Sequence, residues 1–229
     1  MTTITDRLAL AQYRISQAAK NSLREPDEVK LLAVSKTKPN SQIIDAYKAG
    51  QRLFGENYVQ EAEAKILSLS ADYPDIEWHF IGPLQSNKTK IIASRCDWMH
   101  TVDRQKIALR LNEQRPDTLQ PLNVCIQVNI SQEASKSGVN AVDVLSLAQQ
   151  IDALPNLTLR GLMAIPSAHV DSHTATEELA ALQQLYQSLA AQYSSVDTLS
   201  VGMSNDLELA VAHGSTMVRI GSAIFGARD

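Results

Sequence analysis

Residues 29–50 read VKLLAVSKTKPNSQIIDAYKAG. A short apolar run over 29–35 is followed by a polar turn and then by a helical pattern over 41–49, which Gly50 ends. Short apolar runs bounded by turn residues are typical of buried strands, and glycine commonly follows the last residue of a helix. The segment therefore predicts one strand–helix unit.

The same unit repeats along the chain. We predict strands near 29–35, 52–56, 77–82, 98–102, 122–130, 157–165, 198–203 and 216–221. Helical patterns lie between them, and a further amphipathic helix is predicted over 3–20. Strands that alternate with helices pair in parallel, because a parallel crossover needs about a dozen residues or more. Eight such units match a closed (β/α)8 barrel.

An open, doubly wound sheet is the alternative architecture. Such sheets more often have five or six strands and a glycine-rich first turn, whereas the turn over 35–39 contains no glycine. We therefore favour a single (β/α)8 TIM barrel of the α/β class with an extra N-terminal helix. Because no Pro/Gly/Ser-rich linker divides the chain, we expect one domain over residues 1–229.

Composition restricts the class of partner. The chain has 229 residues, 44% hydrophobic and 20% charged, with a formal net charge of −4, which is typical of a soluble domain and unlike a basic nucleic-acid binder. Asp6, Arg7 and Arg14 interrupt the apolar runs at the N-terminus, and no stretch approaches 18 uninterrupted apolar residues, so we expect no signal peptide and no membrane anchor. The two cysteines, Cys96 and Cys125, form no metal-binding pattern. We predict a cytoplasmic monomer that binds no nucleic acid, membrane or metal.

In a barrel of this kind the functional site lies at the carboxyl ends of the strands. Lys36 follows the first strand and, at period two, shares a face with Leu32 and Val34. If that face points inward, desolvation lowers the pKa of the amine and favours the neutral nucleophile that attacks a carbonyl. The alternative is a solvated loop lysine, as expected for Lys38.

A phosphate site is indicated at the ends of the last two strands. The segments 200–206 and 219–222 contain Gly202, Ser204, Gly221 and Ser222, which offer hydroxyl groups and close backbone approach to an anion. Tight turns before helices would require similar residues. Both interpretations stay open on the residues alone.

Arg219 interrupts an apolar strand. An arginine that faces a barrel interior is costly unless it meets an anion or a good acceptor, and the alternative is an outward arginine paired with a carboxylate on a helix. Asn57 and His79, at the ends of the second and third strands, are weaker candidates, because a lone histidine is more often a structural hydrogen-bond donor. A lysine with a phosphate site indicates either a pyridoxal phosphate protein or a sugar-phosphate enzyme that forms a Schiff base.

Several motifs together resemble those of a known family. They are LAVSK over 32–36, FGENYVQE over 54–61, WHFIGPLQSNK over 78–88, GMSND over 202–206 and GSTMVRIGSAIFGAR over 214–228. In this order the motifs resemble the YggS/PROSC family of pyridoxal phosphate homeostasis proteins, from about residue 3 to the end of the chain.

The resemblance implies the type III fold of pyridoxal phosphate proteins, similar to the N-terminal domain of alanine racemase. It implies that Lys36 carries pyridoxal 5′-phosphate covalently as an internal aldimine and that Arg219 faces the pyridine nitrogen. By the same resemblance, Ser204, Gly221 and Ser222 hold the phosphate, Asn57 lies near the ring, and His79 also belongs to the binding residues.

The implied function is intracellular homeostasis and delivery of pyridoxal phosphate, with apo-enzymes as candidate partners. Racemases of this fold use a second base from a β-rich domain, which is not seen in this sequence, so we expect weak or no racemase activity and no catalytic residue. An amino-acid racemase or another pyridoxal phosphate enzyme is the alternative function. An aldolase-like barrel is a third, which the resemblance disfavours.

Overall fold

The computed structural model describes residues 2–133, 136–167 and 172–227. Eight strands within these ranges form a closed parallel barrel in sequence order, and the last strand pairs with the first. The strands are β1 (Lys30–Val34), β2 (Leu53–Glu56), β3 (Glu77–Phe80), β4 (Trp98–Val102), β5 (Leu122–Val128), β6 (Leu157–Ala164), β7 (Thr198–Ser200) and β8 (Met217–Ile220). The predicted (β/α)8 architecture is confirmed.

Helices surround the barrel and connect its strands. They are α1 (Ile4–Asn21), α2 (Asn40–Lys48), α3 (Val59–Leu69), α4 (Thr89–Arg95), α5 (Gln105–Gln114), α6 (Val144–Asp152), α7 (Ser172–Ala190), α8 (Leu207–Ala212) and α9 (Ser222–Phe225). The short α9, directly after β8, is a difference from the sequence prediction. Its four residues lack the length that makes a helical pattern recognisable.

The extra N-terminal helix α1 begins at a capping box. The Thr3 hydroxyl accepts the Asp6 amide proton (3.1 Å), and the Asp6 carboxylate accepts the Thr3 amide proton (2.9 Å), which satisfies two amide groups at the helix start. The buried face of α1 packs against α8, and Arg14 pairs with Glu208 across this contact (2.8 Å).

Successive side chains of each strand face either the surrounding helices or the interior of the barrel. Leu31 and Ala33 of β1 join the large apolar cluster between strands and helices, which has members from every strand. Residues of the opposite parity face the barrel interior, where Trp98, Cys125 and Met163 form a second, much smaller cluster. The interior also holds Leu32, Met217 and several buried polar side chains, and the polar ones lead to the candidate site.

Candidate functional site

A cavity of about 410 Å³ opens at the carboxyl ends of the strands. We call it the mouth cavity. Six residues predicted from the sequence line it: Lys36, Asn57, Ser204, Arg219, Gly221 and Ser222. Its volume lies within the range of about 300–1,000 Å³ that is usual for small-molecule sites. Lining residues for which the sequence predicted no role include Ile81, Met163, Ile165 and Met203, which supply apolar surface.

The turn that carries Lys36 is fixed on both sides by residues of α3. The Lys65 ammonium donates to the Ser35 carbonyl (2.7 Å), and the Thr37 amide, at φ 62°, donates to Glu61 Oε1 (2.6 Å). Lys65 is itself buried and also bonds both Glu61 (2.6 Å) and Glu56 (2.8 Å). These contacts hold the backbone on each side of Lys36.

Glu56 lies beneath this turn and is 1% exposed. Its Oε1 accepts the Ser35 hydroxyl (2.6 Å) as well as the Lys65 ammonium. Burial raises the pKa of Glu56, and the charge of Lys65 partly opposes that rise. A buried carboxylate of this kind requires its cation, so Lys65 has a structural role next to the candidate lysine.

Asn57 presents an unsatisfied polar atom to the site. Its Oδ1 is buried and has no hydrogen-bond partner among the described residues, although the side chain lines the mouth cavity. Gly82 packs against the same residue so closely that a Cβ there would lie 2.0 Å from the Asn57 carbonyl oxygen. The end of β3 thus holds the Asn57 backbone in place while its amide group is available to a ligand.

The ends of β7 and β8 place two hydroxyl groups on one wall. Within the described part of the chain, the hydroxyls of Ser204 and Ser222 make no hydrogen bond, and both residues line the mouth cavity. Gly221 directly follows β8 and lies against β1, where a Cβ would lie 3.2 Å from the Val34 carbonyl oxygen. The wall therefore combines free donors with a close backbone approach, as an anion site requires.

Arg219 points into the barrel, so the alternative of an outward arginine is wrong. It is 5% exposed and donates from Nη1 to the Ser200 carbonyl (2.5 Å) and hydroxyl (2.9 Å), and from Nη2 to the Ala164 carbonyl (2.9 Å). No carboxylate of the described residues lies within 4.0 Å of it. Burial lowers the pKa of Arg219 to about 10, so the guanidinium is charged at neutral pH and has N–H donors left for a ligand.

His79 lies in the barrel interior and is not among the residues that line the mouth cavity. It belongs to a series of contacts that crosses the interior from Arg219: Ser200 Oγ lies 3.0 Å from His100 Nδ1, His100 Nε2 lies 2.9 Å from His79 Nδ1, and His79 Nε2 lies 3.2 Å from Glu77 Oε1. We call these residues the interior chain: Arg219, Ser200, His100, His79 and Glu77.

Ser200 and His100 were given no role from the sequence. The signal that identifies them is their odd or even position along the strand. Side chains alternate between the two faces of a strand, so a polar residue next to a residue of the outer cluster faces the interior. His100 follows Met99, which lies in that cluster, and Ser200 follows Leu199. A single histidine gives no such signal until its neighbours on adjacent strands are known.

Among the described residues, no group of His, Cys, Asp and Glu is arranged to hold a metal ion. Within the same ranges, no helix has the length and apolar character needed to cross a membrane. Cys96 and Cys125 are buried, and burial raises the pKa of both thiols.

Comparison with known proteins gives consistent matches. Residues 9–229 match the family model described as alanine racemase, N-terminal domain. The chain is 59% identical over 208 residues to the pyridoxal phosphate homeostasis protein of Vibrio alginolyticus (90% of this chain, 89% of that protein). It is 53% identical over 230 residues to the protein of the same name from Escherichia coli strain K12 (100% and 98%). PipY of Synechococcus elongatus, solved with PLP bound, superposes with a TM-score of 0.82 at 35% identity (98% of this chain, 100% of that chain).

Proposed function

This chain belongs to the alanine racemase N-terminal domain family and, within it, to the pyridoxal phosphate homeostasis proteins, and from this premise we propose that it binds pyridoxal 5′-phosphate and regulates its availability. One observation supports the proposal most directly. The mouth cavity combines a primary amine, a buried guanidinium, two hydroxyl groups and the buried amide oxygen of Asn57, which has no hydrogen-bond partner among the described residues. These are the groups that an aromatic aldehyde with a phosphate ester would require.

The residue types at the mouth cavity suit the cofactor. When bound, pyridoxal phosphate supplies an aldehyde that condenses reversibly with a primary amine, with loss of one water molecule. Lys36 is the proposed amine. Ser204, Gly221 and Ser222 are proposed to hold the phosphate, and Asn57 to bind near the ring. His79 stays a predicted binding residue, although its contacts lie below the cavity.

Arg219 is proposed to face the pyridine nitrogen. A guanidinium donates hydrogen bonds and cannot take up a proton, so it binds an unprotonated nitrogen and does not promote its protonation. The ring then withdraws electrons weakly, which suits a protein that stores the cofactor better than one that stabilises a carbanion. The names of the relatives, homeostasis proteins, agree with a role in binding.

Delivery follows from the reversibility of the proposed linkage, because an incoming amine can take the aldehyde from Lys36. We propose apo-enzymes that use pyridoxal phosphate as the recipients, and we propose that the protein acts in the cytoplasm as a monomer.

Lys36→Ala tests the covalent attachment. We expect the variant to fold and to lose labelling by borohydride reduction in the presence of pyridoxal phosphate, together with the yellow absorption band. Lys38→Ala is the matched control, since Lys38 lines the same cavity but donates to the Ala227 carbonyl (2.6 Å). Labelling that persists in Lys36→Ala and disappears in Lys38→Ala would show that Lys38, and not Lys36, carries the cofactor.

An exchange experiment separates binding from catalysis. The loaded protein is incubated with L-alanine in deuterated water, and deuterium at the α-carbon is measured. We expect no multiple-turnover incorporation, because the described lining of the mouth cavity includes no tyrosine, histidine, cysteine or carboxylate, and its second amine, Lys38, donates to the Ala227 carbonyl. Multiple turnovers would show that the protein is an enzyme.

A further inference from the structure

The hydrogen bonds of the interior chain run in one direction, from donor to acceptor, starting at Arg219. Arginine can only donate hydrogen bonds, so Ser200 Oγ accepts from Arg219 Nη1 at 2.9 Å. Within the described residues, the only other partner of that oxygen is His100 Nδ1, at 3.0 Å. The buried hydroxyl proton has no other acceptor, and a buried donor left unsatisfied is costly. Ser200 therefore donates to His100 Nδ1.

The direction propagates along the two histidines. With Nδ1 of His100 as an acceptor, the neutral ring carries its proton on Nε2 and donates it to His79 Nδ1 at 2.9 Å. His79 then carries its own proton on Nε2. This nitrogen lies 3.2 Å from Glu77 Oε1 but makes no hydrogen bond with any described residue, so the tautomers are set from the Arg219 end of the interior chain. Burial lowers the pKa of both His79 and His100, which agrees with neutral rings.

We propose that His100 and His79 are positioning residues for Arg219, and that through Ser200 they hold its guanidinium as a fixed donor toward the mouth cavity. The Ser200 hydroxyl proton is committed to His100, and the His100 Nε2 proton is committed to His79. Neither proton is therefore available to a ligand beside Arg219. The inference rests on the proposed function in one respect: the ligand that benefits is the unprotonated pyridine ring.

The first test is made on the ligand-free protein. The chain contains five histidines, and labelling them with ¹⁵N allows each tautomer to be determined by NMR. We expect His79 and His100 to carry the proton on Nε2, with assignment by His79→Gln and His100→Gln. Protonation of either ring on Nδ1 would overturn the inference, whether or not the protein binds pyridoxal phosphate.

The second test compares two buried serines. Ser200→Ala breaks the interior chain. Ser215→Ala is the control, because the hydroxyl it removes is equally buried but donates to the Val201 carbonyl (2.6 Å), which does not belong to the interior chain. We expect Ser200→Ala to weaken pyridoxal phosphate binding about tenfold, as for the loss of one hydrogen bond to a charged group, and to shift the ring ¹⁵N resonance of labelled cofactor. Ser215→Ala is expected to keep both values.

The outcomes separate the two proposals. If neither wild type nor variant binds pyridoxal phosphate, the proposed function fails, and the tautomers of the ligand-free protein still decide the inference. If wild type binds and Ser200→Ala has the same affinity and ring resonance as wild type, the proposed function stands and the positioning role is refuted.

Discussion

The layer between strands and helices and the interior of the barrel are both buried, but they are built differently. The outer layer is one continuous apolar cluster. The interior holds a separate cluster of three apolar residues and is crossed by a series of hydrogen-bonded polar groups. Barrel interiors are commonly filled by layers of branched apolar side chains, so this polar series is unusual.

The difference indicates a division of tasks. Apolar burial stabilises the fold roughly in proportion to the area removed from water, and the outer layer provides most of it. Buried polar groups contribute little net stability but impose a geometry when all of them are satisfied. We therefore expect changes in the outer layer to lower stability and changes in the interior to alter binding.

The largest expected effect belongs to the outer layer. Phe54→Ala removes a ring that is 0% exposed and lies 6.0 Å from the ring of Trp78. The variant is expected to lose about 3–5 kcal/mol of unfolding free energy, because the cavity left behind collapses only in part. Urea denaturation measures this loss, and Phe54→Leu serves as a milder control. A loss below about 1 kcal/mol would contradict the assignment of stability to this layer.

In the interior, Arg219→Met is expected to change ligand binding more than stability. Removing a desolvated charge favours the folded state, whereas leaving two carbonyl groups without their donor disfavours it, so we expect the unfolding free energy to change by only about 1 kcal/mol. Affinity for pyridoxal phosphate is expected to fall about 10- to 100-fold with the loss of a charged donor. Titration followed by absorption measures it. Wild-type affinity and an unchanged spectrum would place Arg219 outside the binding site.

The smallest effect is a dependence of stability on pH. Burial holds the pKa of His79 and His100 below the usual 6.5. Below that pH the unfolded chain takes up protons that the folded protein does not, so stability falls as pH falls, by up to about 1.4 kcal/mol per pH unit for each histidine. Above about pH 7.5 both states are neutral at these positions and the contribution is constant.

His100→Gln isolates one of these two contributions. Urea denaturation between about pH 5.5 and 7 is expected to give a shallower pH dependence for the variant than for wild type. Equal slopes would mean that His100 takes up its proton in the folded protein as readily as in the unfolded chain.

The sequence predicted the barrel because the strand–helix unit recurs with clear periodicity and each unit is local. It also predicted six of the residues that line the mouth cavity, since strand ends are readable from where apolar runs stop. Contacts between strands distant in sequence were beyond this reasoning. His79 and His100 are 21 residues apart, and His100 and Ser200 are 100 apart. The register that brings them together depends on barrel closure, which a single sequence does not encode locally.

The attachment of the Lys36 turn to α3 has an evolutionary consequence. Thr37 and Ser35 are held by Glu61 and Lys65, two residues of a helix on the outside of the barrel. A lineage that altered either of them alone would inherit a changed backbone beside the lysine. We therefore expect positions 61 and 65 to vary together with position 56 among homologues, and selection on the cofactor site to extend to a helix that does not line the mouth cavity.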